Sequence, residues 1–94
     1  MKFLLKKLKK IILKEYKADI NITITTALSP EINAVTNGKD ILINANNIKS
    51  IDLILKACAH ELVHIIFHYE DDTNEFNDEL MRIETTLLNK YREN

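Results

Sequence analysis

The sequence predicts an α+β domain: an N-terminal helix, a small three-stranded sheet, and two further helices. Three observations carry this. Apolar residues recur at steps of three and four near both ends of the chain. Between them, apolar and polar residues alternate. One Gly and one Pro in 94 residues leave little room for long loops, and 46% apolar content argues against disorder. A chain of this length makes one domain.

Each element follows in order. Residues 2–17 form an amphipathic helix, with Leu5, Leu8, Ile12 and Tyr16 on one stripe and Leu4, Ile11 and Leu13 widening it. The sheet spans 19–45. In 19–26, Ile20, Ile22 and Ile24 alternate with polar residues, and Ser29-Pro30 punctuates the run. Segments 31–36 and 40–45 flank Asn37-Gly38, a dipeptide suited to a type I′ hairpin turn. Within 40–45, Ile41 and Ile43 point one way, Leu42 and Asn44 the other. A helix runs over 50–69 and breaks at the polar stretch Glu70 to Asn74. Asp72 with Glu75 fits an N-cap and capping box for a last helix over 73–91.

Charge and cysteine content exclude several classes. The net charge of −1 gives no case for nucleic acid as the main partner. Residues 1–17 hold seven Lys and one Glu, so the remainder is acidic. The basic helix reads foremost as a cover for the sheet, with a surface that binds anionic membrane or nucleic acid as the rival reading. A lone Cys58 excludes an internal disulfide framework and a Cys-based zinc finger, and points to a reduced, cytoplasmic setting. No apolar run reaches the roughly 18 residues of a membrane span. Recurrent Lys in the first helix breaks any signal-peptide core.

The chemistry lies in His60-Glu61-Leu62-Val63-His64, an HExxH within a helix. A spacing of four brings both imidazoles out on one side, about a turn apart, so two ring nitrogens can reach one Zn²⁺. Glu61 sits about 100° further round the helix, placed to act as general base on an activated water. The opposite face carries Leu55, Cys58, Ala59, Leu62, Ile65 and Ile66, so the motif is anchored in a core. Two His and a Glu in such a wall need a metal or partner to offset desolvation.

A third protein ligand leaves zinc one open position. The position ten residues after His60 is Glu70 rather than His, and His68 lies one turn beyond His64 on the same helix. Glu79 falls among Glu75, Arg82, Thr86 and Lys90 on the polar side of the last helix. Glu84 falls within the apolar arc of Leu80, Met81, Ile83, Leu87, Leu88 and Tyr91, where a carboxylate demands explanation. If the two helices fold back around residue 72, Glu84 stands level with residue 60. Helical geometry therefore favours Glu84 over Glu79.

HExxH followed by a Glu on the next helix resembles the gluzincin metallopeptidases, and length and element order make the chain similar to the minigluzincins. The resemblance implies a zincin-like fold with His60, His64 and Glu84 on one zinc ion, and Glu61 as base and acid. It further implies strand 40–45 as an upper rim that pairs with an extended peptide or protein substrate. It also suggests a latent, zymogen-like form with the C-terminal segment over the cleft. Leu88 stands where gluzincins often carry a supporting Asp. His68 gives a rival likeness to the ImmA/IrrE regulatory proteases, which would shift the third ligand to Glu79. His68, Tyr69 and Tyr91 are the candidate oxyanion donors. A non-catalytic zinc-stabilised binding module is the alternative from another class. The split charge and the short loop before the last helix also admit a homodimer by helix exchange.

Overall fold

The computed structural model describes residues 2–93; Met1 and Asn94 of the expected single domain lie outside the described residues. The fold is α+β, in the order α1 (Lys2–Tyr16), β1 (Asn21–Thr25), β2 (Ala34–Thr36), β3 (Asp40–Asn44), α2 (Ile51–Phe67) and α3 (Asn74–Arg92). No helix among the described residues is long and apolar enough to cross a membrane.

The helical stripe of α1 buries Leu4, Leu8 and Ile12, while Leu13 stays exposed. Their side chains join Ile41 and Ile43 of β3, Ile54, Leu55, Cys58 and Leu62 of α2, and Phe76, Ile83 and Leu87 of α3 in one core. At the far end of α3, Lys7 Nζ donates to the Tyr91 carbonyl at 2.7 Å and lies 4.1 Å from the ring centroid. The end of α3 is thereby fastened to α1.

The sheet order is β1-β3-β2, with β1 parallel and β2 antiparallel to β3. Strand 40–45, implied as an upper rim open to substrate, is therefore the central strand with both edges paired. The free edge that faces α2 belongs to β2. The hairpin turn also differs from the expected one. Asn37 N–H donates to the Asp40 carbonyl at 3.3 Å, so the central pair is Gly38-Lys39 rather than Asn37-Gly38. Gly38 alone takes positive φ there, at 99°, the glycine placement of a type II′ turn. Asn37 instead caps the turn, its Oδ1 accepting the Lys39 and Asp40 amides.

Asn44 shares the sheet face of Leu42, as the alternation requires, yet it is fully buried. The 29–33 segment folds over it: Asn44 Nδ2 donates to the carbonyls of Ser29 at 3.1 Å and Ile32 at 2.8 Å, and its Oδ1 accepts the Asn46 amide. One amide thus holds the segment that leads into β2. Asn44→Ala is expected to cost about 1–3 kcal/mol in urea unfolding, because it strands those carbonyls, and to speed amide exchange across 31–34.

Ser50 caps α2, its hydroxyl accepting the Leu53 amide at 3.2 Å. The helix stops at Phe67 rather than Tyr69, because His68 turns left-handed at φ 59°. Thr73, not Asp72, caps α3 and accepts the Phe76 amide at 3.1 Å. Asp72 is left-handed at φ 64°, outside the extended backbone that an N-cap adopts.

Burial pushes the Cys58 thiol up from 9.0 to about 12, with Glu61 nearby adding to the shift. The folded state then holds its proton where the unfolded chain loses it. Stability should fall as pH rises from 9.0 toward about 12. Near neutral pH, iodoacetamide should spare Cys58 in the folded protein and label it in urea.

Candidate metal centre

His60 and His64 project from the same side of α2 with ring centroids 5.3 Å apart. Their Nε2 atoms converge: the Asp71 Oδ1 atom lies 3.1 Å from that of His60 and 2.8 Å from that of His64. His64 is held from behind, with Nδ1 2.9 Å from the Tyr69 carbonyl. A carbonyl only accepts, so Nδ1 carries a proton, and Nε2 is the ring atom turned toward the other donor atoms.

Glu61 leaves the helix beside the pair and is only 6% exposed. Its Oε2 is buried without a hydrogen-bond partner. Desolvation raises its pKa, His60 and His64 oppose the rise, and Asp71 adds to it. The donor atoms of His60, Glu61 and His64 all lie within 4.8 Å of one another, a group that could hold a metal ion. Two imidazoles with neighbouring carboxylates suit a borderline divalent ion, and the buried Glu61 oxygen beside them lacks the partner that a bound group would supply.

A cavity of about 490 Å³ opens beside the site, between the 31–34 segment and the two helices, and reaches His60, Glu61, Leu80 and Glu84. Glu84 thus shares a wall with two of the expected site residues, but its carboxylate does not join the gathered donor atoms. Register is the reason. The imidazoles are faced by Phe76, whose ring centroid lies 4.8 Å from His60 and 5.0 Å from His64. Glu84 comes about two turns further along α3 than Phe76 and lines a second, neighbouring cavity with Asp52, Leu55 and Lys56. Glu79 pairs with Arg82 and adds to the raised pKa of Tyr16, on the side of α3 that meets α1.

His68 is exposed in its left-handed cap. Tyr69 stacks its ring on Phe67 at 5.7 Å and uses its carbonyl to orient His64. Tyr91 is engaged by Lys7 at the far end of α3. Asp71 is the residue that sequence reasoning passed over, because it sits in the break between helices where no periodicity applies. One signal was legible: acidic residues just past a helix C-terminus oppose its dipole and are unfavourable there unless a cation is near.

No protein-family model matches the chain, and no curated protein shows significant similarity to it. What the site can do follows from its own donor atoms.

Proposed function

We propose that the chain is a zinc-dependent metallopeptidase with a zincin-like centre, in which His60 and His64 hold one zinc ion and Glu61 is the general base. A single observation carries this reading. Two ring nitrogens one helical turn apart converge on one point, beside a buried carboxylate oxygen that lacks a partner.

A zinc ion bound there supplies Lewis acidity to a peptide carbonyl and acidifies a water molecule toward a pKa of about 7. The remaining work belongs to the chain. The Glu61 carboxylate takes a proton from the attacking water and returns it to the leaving amide nitrogen, and the burial that raises its pKa favours the protonated form it holds between the two transfers. The Tyr69 carbonyl keeps the His64 ring in the tautomer and orientation that ligation requires. Phe76 closes the side of the imidazoles toward α3.

An extended peptide fits along β2. Asn33 pairs with β3 through its carbonyl, so by alternation the amide and carbonyl of Ala34 and Thr36 turn outward. Ala34 also lines the cavity that reaches His60 and Glu61. A strand added at this edge would run past the centre, with side chains alternately in the cavity and in solvent.

The test is zinc content together with cleavage of an unfolded protein substrate. One zinc ion per chain, and cleavage that stops on chelation and returns with zinc, is the expected result. Stoichiometric zinc with no cleavage of any unfolded substrate, and unfolding on chelation, would favour the zinc-stabilised binding module instead.

A further inference from the structure

We propose that Asp71 is the third protein ligand of the centre, so that the α2–α3 loop rather than helix α3 completes it. The assignment rests on the metal-centre reading above and adds a residue to it. The donor pattern becomes His60, His64 and then Asp71, seven residues after the second imidazole.

Geometry comes first. Donor atoms at about 2.0–2.2 Å from a tetrahedral ion are separated from one another by about 3.3 Å. Asp71 Oδ1 lies 3.1 Å and 2.8 Å from the two Nε2 atoms, close to that separation from both. One oxygen against two imidazole nitrogens is the face of a coordination polyhedron. Small outward movements of the three side chains would admit an ion between them.

Hydrogen bonding points the same way. His64 Nδ1–H donates a hydrogen bond to the Tyr69 carbonyl at 2.9 Å. Its Nε2 is therefore the ring atom that faces the carboxylate, and an approach of 2.8 Å between the two atoms needs a proton or a metal ion between them. No Lys or Arg salt bridge to Asp71 occurs among the described residues; its ionic partners are the two imidazoles.

The loop delivers this carboxylate by construction. His68 turns left-handed, and its amide donates to the His64 carbonyl, which ends α2 directly under the second ligand. Thr73 Oγ1 donates to the Glu70 carbonyl at 3.0 Å and also accepts the Phe76 amide, which starts α3. Asp71 lies between these two caps, folded back over the α2 terminus. Phe76 fills the ground opposite the imidazoles, and Glu84 lies about two turns away along α3.

The experiment is a zinc titration against a chromophoric chelator, with Co²⁺ absorption as a second readout. It uses the full chain as wild type, Asp71→Asn, Asp71→Glu, Glu84→Gln and His60→Ala, with folding checked by circular dichroism. Asp71→Asn is expected to weaken zinc binding by about a hundredfold or more, beyond what the loss of an outer-sphere partner usually costs. It should also reduce the intense Co²⁺ bands of a four-coordinate site. Asp71→Glu should recover part of the affinity because it restores a carboxylate, and Glu84→Gln should bind like wild type. Wild-type affinity in Asp71→Asn, or the large loss falling on Glu84→Gln, overturns the assignment while the His60→Ala loss leaves the metal centre standing. A wild type that binds no better than His60→Ala overturns both.

Discussion

Glu61→Gln is expected to lower the turnover of an unfolded protein substrate by about 10²–10⁴-fold, the range that a positioned general base contributes, while zinc content stays at the wild-type level. The substitution keeps shape and removes only the proton-accepting charge. Folding should not suffer. The Glu61 side chain is buried with one oxygen unpaired, and desolvation already raises its pKa, so a neutral amide there relieves a cost. The Tm should hold or rise. Turnover and zinc measured on the same preparation separate the roles. Full activity in the variant removes Glu61 from the chemistry, whereas loss of zinc with activity makes it a ligand instead.

Phe76→Ala should be among the most destabilising single substitutions in the chain. Phe76 is among the largest fully enclosed side chains, and its ring packs edge-on against His60 and tilted against His64. Removing a buried phenyl costs about 3–5 kcal/mol, against the roughly 5–15 kcal/mol that holds a domain of this kind together. Urea unfolding should show a large drop in midpoint with an unchanged slope. The site should feel the change as well, since both imidazoles lose the wall that fixes their rings. Phe76→Leu, which refills most of the space, should recover most of the stability. A cost below about 1 kcal/mol for the alanine variant would mean that α3 does not pack over the imidazoles.

Much of this molecule is legible in its residues because periodicity is local. The α1 stripe at Leu8 and Ile12, the inward Ile41 and Ile43, and the HExxH face of α2 all follow from the repeat of a single element, although Leu4 rather than Leu5 or Tyr16 completes the buried stripe. Two features that join elements do not. Which strand lies in the middle depends on how β1 crosses over the hairpin, and β3 takes that place. The register of α3 on α2 depends on where each helix ends. His68 and Thr73 set those ends by backbone conformation and capping, and they bring Phe76 rather than Glu84 opposite the imidazoles. Asn44 shows the same limit: a polar residue on the face opposite Ile41 and Ile43 becomes a buried clasp only because a distant loop closes over it.

The β2 edge is three residues long and ends at the hairpin turn. An unpaired strand is a template for sticking to other chains, and brevity is one of the ways natural sheets blunt that hazard. The same brevity caps how much ladder any guest chain can form. With only Ala34 and Thr36 turned outward, the grip on an added peptide backbone would be brief. Residence of such a guest would then depend on what its side chains find in the adjacent hollow and at the centre itself. A short selvedge of this kind suits fast release and broad tolerance of sequence better than tight, selective capture.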